Sequence, residues 1–260
     1  MSKLKRTSPI KMLGAAIRAW LGLLPGTALG IALGFSLGLL PALASNVSRD
    51  DPPPNTRGRS AGSRGCGASA ATDSPRSEDT PALVLLAPEG VGKTSSVQPT
   101  FAWFSRDANP SVTFRLYEHD DASQTYRLLT ETPSTVTQAG ILTLSLSGEP
   151  IALELGQSYL WQVELVCDRS RPSGNLFAEA EFEVVEPTST LTERLATAAS
   201  HAEQAALYAA ADLWYDALHI TLTVDASSTM APLRSELFSR VTINETEQAQ
   251  FEESSVHQME

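Results

Sequence analysis

The chain has 260 residues, 42% of them hydrophobic and 19% charged, an ordinary globular composition that excludes wholesale disorder and a many-spanning membrane protein. Its formal net charge of -11 repels phosphate backbones, so nucleic acid is not expected as a partner.

The first 44 residues read as an export signal. Lys3, Lys5, Arg6, Lys11 and Arg18 precede a charge-free run from Ala19 to Val47, the order of a positive n-region and an apolar h-region. Ala42-Leu43-Ala44 offers small residues where a signal peptidase reads, and cleavage is expected after Ala44. Cleavage leaves 14 basic against 30 acidic residues, a net charge of -16. The alternative is a retained anchor, since the run exceeds the roughly 20 residues a spanning helix needs. Gly22, Pro25, Gly26, Gly30, Gly34, Gly38 and Pro41 break it and favour the cleaved form. Either way positive charge stays inside and the rest is extracytoplasmic, periplasmic or secreted, by a Sec-type route. The membrane is a partner only if the segment is retained.

Residues 45–80 are Pro-, Gly-, Ser- and Arg-rich, with Pro52-Pro53-Pro54 and a run from Arg57 to Gly65. They hold too little apolar surface to offset their ordering entropy, so a disordered linker is expected. An Arg/Gly run can bind RNA in a cytoplasmic protein, a reading set aside for an exported chain.

From Ala82 the hydrophobic period becomes two. Strands are predicted at Leu83 to Leu86, Phe101 to Ser105, Val112 to Glu118, Tyr126 to Thr130, Ile141 to Leu146, Tyr159 to Cys167 and Phe177 to Val185. Seven short runs separated by turn residues predict a seven-stranded antiparallel β-sandwich of immunoglobulin or fibronectin type III kind over residues 81–187. Tyr159, Trp161, Val163 and Leu165 share one face, and Glu179, Glu181 and Glu183 stand opposite Ala178, Ala180, Phe182 and Val184. Leu153, Gly156 and Tyr159 resemble the tyrosine corner of fibronectin type III domains, and Pro99 to Trp103 resembles that fold's second strand. Trp103, Tyr159 and Trp161 are therefore expected in the core; ligand platforms are the alternative for the two Trp residues.

After Pro187 the period becomes helical. Thr190 and Glu193 have capping-box spacing, and Leu191, Leu195, Ala198, Ala202, Ala205, Ala209 and Leu213 mark one stripe. Further short helices are expected over Leu213 to Leu222 and Pro232 to Val241, giving a helical hairpin-like region over 188–242. Residues 243–260 read as a disordered acidic tail.

Several dispersed segments then resemble one family. Arg57-Gly58-Arg59, Ser63-Arg64-Gly65-Cys66, Leu83 to Pro88, Pro99-Thr100-Phe101, Cys167-Asp168, and Tyr208-Ala209 leading to Leu213-Trp214-Tyr215-Asp216-Ala217-Leu218 are similar to an exported, largely cyanobacterial family known only as a domain of unknown function, nine-two-eight. The likeness covers roughly residues 57–225. Asp212 stands where that family has Gly, and the family's Trp-containing final helix is missing. The resemblance implies location and architecture but no chemistry. Cys66 and Cys167, the chain's two cysteines, match family positions, and export permits a Cys66–Cys167 disulfide between them.

Chemistry candidates are few. Ala87-Pro88-Glu89-Gly90-Val91-Gly92-Lys93-Thr94 fits a relaxed Walker A pattern, but a phosphate cradle needs a helix starting at Lys93. Ser95-Ser96-Val97-Gln98-Pro99 follows instead, so no nucleotide is expected and the stretch reads as a loop. Glu118-His119-Asp120-Asp121 could offer metal ligands, yet consecutive residues at a strand end diverge, and a hydrated turn is the simpler reading. His201, His219 and His257 have no evident partners. Asp212 and Asp216, one helical turn apart, could mimic an acid pair, though helix-start charge explains them.

No catalytic, metal or cofactor residues are assigned. The expected function is a non-enzymatic binding or assembly module of the cell envelope, partnered by an envelope protein, with Trp214 and Tyr215 as a candidate interaction surface or, alternatively, core. The other reading is an envelope enzyme with a loop-built site near His119 and Asp168.

Overall fold

The computed structural model describes residues 81–108, 111–120, 122–135, 138–147, 150–167, 170, 172–224 and 229–259, all in the unit Asn46–Glu260. The signal segment at 1–44 and the linker at 45–80 lie outside the described residues.

Strands β1 (Leu83–Leu85), β3 (Thr100–Ser105), β6 (Gly140–Ser145) and β9 (Val256–Gln258) form one sheet in the order β1-β3-β6-β9. Strands β2 (Gly92–Thr94), β4 (Ser111–Asp120), β5 (Thr125–Thr135), β7 (Ser158–Val166) and β8 (Leu176–Val184) form the other in the order β2-β8-β7-β4-β5. The seven predicted runs are all strands. The expected purely antiparallel, seven-stranded immunoglobulin or fibronectin arrangement is corrected, because both sheets are mixed: β2 joins β8 in parallel and β9 joins β6 in parallel. Each added strand is three residues long and completes an edge that the longer strand leaves open.

The two-residue rhythm holds where one face is wet. Along β7 and β8, Trp161, Val163, Ala178, Phe182 and Val184 are fully buried between the sheets. On the opposite face Arg115 of β4 bridges Glu131 of β5 at 2.9 Å and Glu164 of β7 at 2.6 Å. The rhythm fails along β3, where Thr100-Phe101-Ala102-Trp103-Phe104-Ser105 is buried throughout. A strand covered on both faces loses its alternation. Phe101 packs across the sandwich on Trp161 at 5.0 Å and Phe182 at 5.3 Å, whereas Phe104 stacks on Phe251 of the C-terminal helix at 4.6 Å.

Among the described residues five α-helices follow the sandwich, α1 (Ser189–Thr197), α2 (His201–Ala210), α3 (Trp214–His219), α4 (Ala231–Ser239) and α5 (Glu245–Glu253), with a π-helical turn at Ile220–Val224 after α3. The first cap is Thr188, whose hydroxyl accepts from Leu191 N–H at 3.2 Å, two residues before the predicted Thr190. The predicted single stripe is cut at Ser200, which is extended and caps α2 by accepting from Glu203 N–H. Glu203 in return accepts from Ala199 N–H at 2.8 Å, so the reciprocal cap belongs to Ser200 and Glu203. Asn244 and Glu247 repeat the device before α5, with bonds at 2.8 Å to Glu247 N–H and Ile243 N–H.

The expected disordered tail at 243–260 is thus corrected to α5 and β9. Its charge pattern hides one deeply buried anchor, Phe251 at 0% exposure. Full burial of such a side chain contributes about 1.5–3 kcal/mol. β9 is then seated because Gly140, at φ 130°, lets Ser255 C=O approach and accept from Ile141 N–H at 2.9 Å. Among the described residues no helix is long and apolar enough to cross a membrane.

Candidate functional site

Helix α3 plugs one end of the sandwich. It is entered through Asp212, which takes the left-handed conformation at φ 59°. Asp is among the few residues with a side chain that tolerate this region, which accounts for an Asp where the resembling family has Gly. Trp214 Nε1 donates to Leu86 C=O at 2.8 Å and Tyr215 OH accepts from Trp161 Nε1 at 2.9 Å. Trp214 and Tyr215 are 2% and 1% exposed, so they are not the candidate interaction surface: their rings close the core. Arg240 covers the outer side of the Trp214 ring at 5.0 Å, a cation–π contact.

The third residue of this plug, Asp216, reaches back to the segment after β2. Its Oδ2 accepts from Ser95 N–H at 2.9 Å and its Oδ1 from the Ser95 hydroxyl at 2.7 Å. Burial pushes its pKa up, and the hydrogen bonds from Ser95 and Thr94 work against that rise. His219, one turn further on, has Nδ1 3.0 Å from Thr100 Oγ1 and 3.2 Å from Thr223 Oγ1. Burial pushes its pKa down, offset in part by the Asp216 charge.

Between these groups lies a cavity of about 310 Å³. The chain from Thr94 to Thr100 forms one wall, Ser145 and Ser147 the rim, and Gln204 and Tyr208 of α2 the opposite wall. Tyr215, Asp216, His219 and Ile220 close the base. Burial and the Asp216 charge push the Tyr208 phenol up, so it stays protonated. A more open recess of about 610 Å³ lies beside Phe238 and Phe251; the half-buried Asp216 and the more exposed His219 both line the smaller cavity.

The geometry can hold a polar ligand, but it does not assemble a proton relay. Among the described residues no hydrogen bond links His219 to Asp216, both of whose oxygens are taken by Ser95. The hydroxyl beside His219, Thr100, shares Nδ1 with Thr223. A nucleophile–base–orienter chain needs the acid on the ring's other nitrogen.

Sequence reasoning passed over most of this site. The local pattern reads Asp216 as helix-start charge, because its partner Ser95 is 121 residues away. Asp212 does not pair with Asp216 as an acid dyad: it lies before α3, with Lys93 Nζ at 3.8 Å and Arg240 Nη2 at 3.5 Å. The i, i+3 spacing of Asp216 and His219 in one short amphipathic helix was the one available signal.

The other candidates are placed as follows. Lys93 and Thr94 lie in β2, paired with Glu183 and Val184 of β8, and no helix starts there to cradle a phosphate. Asp120 Oδ1 accepts from Ala122 and Ser123 N–H at 2.9 and 3.3 Å, an Asx turn closing the β4–β5 hairpin. His119 packs on Tyr126 at 4.8 Å, and Asp168 and Asp121 lie outside the described residues. Among the described residues no three His, Cys, Asp or Glu side chains are grouped to hold a metal. Trp103, Tyr159 and Trp161 are 0%, 2% and 0% exposed, and Tyr159 OH accepts from Glu154 N–H at 2.8 Å, the tether of a tyrosine corner. Cys167, just past β7, is disulfide-bonded, while Cys66 lies outside the described residues.

Two solved structures share a partial likeness. One is a lytic polysaccharide monooxygenase important for efficient utilization of chitin in Cellvibrio japonicus, at 16% identity and TM-score 0.26, covering 37% of this chain and 56% of that one. The second is an AA10 lytic polysaccharide monooxygenase from Streptomyces lividans, at 18% identity and TM-score 0.23, covering 36% and 58%. The chain spans a little over half the length of each. No curated protein matches it by sequence. A family profile matches residues 59–251, well over half of the chain, and the chain belongs to that family, described as Domain of Unknown Function (DUF928).

Proposed function

We propose that this chain is an exported, non-enzymatic binding module of the cell envelope, and that the cavity between α2, α3 and the Thr94–Thr100 segment is its ligand seat. One observation carries the reading: the two ionisable groups at the base of that cavity, Asp216 and His219, are committed to Ser95, Thr100 and Thr223 and are not joined to each other. They hold a preformed, polar-lined cleft open, the usual character of a recognition site. The N-terminal charge and hydropathy pattern supports export, and the acidic mature surface supports partners other than nucleic acid or nucleotide.

The test is to incubate the purified mature chain with the small-molecule fraction of its own envelope. Binding is read as a rise in melting temperature, and the ligand is recovered for mass measurement. A ligand that stabilises the chain and returns with unchanged mass supports the reading. A ligand returned with altered mass, or no stabilising fraction at all, overturns it.

A further inference from the structure

We propose that the α2–α3 cavity takes a neutral, polyhydroxylated ligand, a small saccharide, held by side-chain hydroxyls and amides against the ring of Tyr208. This rests on the binding-module reading above and adds the class of ligand.

Charge is the first filter. Among the described residues no Lys or Arg lines the cavity, and the chain as a whole is acidic at -11, so an anion finds no counter-charge among them. A cation would need a carboxylate to approach, and the single carboxylate of the lining, Asp216, has both oxygens occupied by Ser95. Burial disfavours the charged form of His219, offset in part by the Asp216 charge. A charged ligand would be desolvated there without a counter-charge, which is costly.

Hydrogen-bond character is the second. Ser96, Thr100, Ser145 and Tyr208 line the cavity with hydroxyls, and Gln98 and Gln204 with amides. Within the protein Thr100 meets His219 Nδ1 at 3.0 Å, Ser145 meets Ser147 at 2.7 Å, Tyr208 meets Ser95, and Gln98 Nε2 donates to Ile151 C=O at 3.3 Å, so each offers a ligand its remaining hydrogen-bonding role. Each of these groups both donates and accepts. The Ser96 oxygen accepts from Gln98 N–H at 3.1 Å, which leaves its own proton to donate. Gln204 lines this cavity and the neighbouring recess beside Ala199 and Ala202, and among the described residues no hydrogen bond engages its side-chain amide. A ligand offering only acceptors or only donors would leave part of this set unmatched, which is unfavourable for groups taken out of water. Sugar hydroxyls match both roles.

Shape is the third. Tyr208, Pro99 and Ile220 supply an apolar wall beside the polar groups, as a ring with C–H faces and hydroxyl edges requires. The volume of about 310 Å³ is at the small end of ligand cavities, which run from about 300 to 1,000 Å³.

The test uses the mature chain with maltose and methyl glucoside as neutral probes, and gluconate and glucosamine as charged ones, read by saturation-transfer NMR and by amide shift changes. The expected result is binding of the neutral probes only, weakened about tenfold in Gln204→Ala, the loss of one ligand hydrogen bond, and abolished in Tyr208→Ala. Gln204→Ala alters a half-buried wall residue on α2, so it reports even if Tyr208→Ala fails to fold. Charged probes binding as well as neutral ones, neutral probes binding undiminished in Gln204→Ala, or no neutral probe binding would each overturn the inference. If none binds while the envelope fraction still stabilises the chain, the saccharide assignment falls and the binding-module reading stands.

Discussion

The indole N–H of Trp161, in the middle of β7, donates to the phenol oxygen of Tyr215, the second residue of α3, at 2.9 Å with both residues buried. The same phenol ring meets Phe101 and Phe182 edge-on at 5.7 and 5.4 Å, so the helical region and the sandwich share one core. Tyr215→Phe keeps the ring and removes the acceptor, leaving the buried indole N–H unpaired. The expected cost is about 1–3 kcal/mol, read from the urea midpoint; an unchanged midpoint would show that the helix is only an appendage.

Asp216 makes a second link between the same two parts. Asp216→Ala removes the carboxylate oxygens to which the Ser95 N–H and hydroxyl donate and is expected to destabilise by about 1–3 kcal/mol, whereas Asp216→Asn keeps one acceptor and loses less. Chemical denaturation ranks the three chains, and the account requires wild type first, Asn second and Ala last.

Glu179 provides a pH dependence of definite sign. It is 3% exposed on the outer face of β8, and burial pushes its carboxyl up to about 7. In the unfolded chain a Glu ionises near ~4.3. Between those values the folded chain holds a proton that the unfolded chain has released, so this group's contribution to stability falls as pH rises and levels off above about 7. Glu179→Gln cannot ionise, and relative to wild type it should gain stability from pH 5 to pH 8. A constant difference across that range in thermal melts would contradict the assignment.

The end of the chain is held by a contact only glycine permits. A Cβ on Gly140 would lie 2.6 Å from Ser255 C=O, and its φ of 130° is strained for any other residue. Gly140→Ala should release β9 from β6, seen as faster amide exchange at Ile141 and Met259, whose N–H groups donate across that junction at 2.9 and 2.8 Å. Protection equal to wild type would refute the role given to this glycine.

A Cys66–Cys167 bridge is the fifth expectation. Closing a loop of about 100 residues stabilises by up to roughly 4–5 kcal/mol in the chain-entropy model. Non-reducing peptide maps should show the two peptides joined, with a lower melting temperature after reduction; two alkylatable thiols would end the idea.

What was legible in the sequence follows from how local each feature is. The strands with one polar face were readable because Glu181 and Glu183 alternate with Ala178, Ala180 and Phe182, although Glu179 on that same face is buried, and Tyr159 was readable because its tether to Glu154 spans five residues. β2 and β9 were not: Gly92-Lys93-Thr94 and Val256-His257-Gln258 have no hydrophobic rhythm, and both exist by parallel pairing with strands distant in sequence. The acidic surface of α5 hid the burial of Phe251 under β3. The cavity was the least legible, since it joins hydroxyls after β2 to a helix more than 100 residues later, and nothing in either segment announces the other.

The most direct test of the central claim is an amide chemical-shift map of the mature chain titrated with the small-molecule fraction of its envelope. The account predicts that the signals of Ser96, Thr100, Gln204 and Tyr208 move together while those of β5 stay fixed. Shifts centred on His119 and its neighbours, with the α2–α3 cavity unmoved, would contradict it.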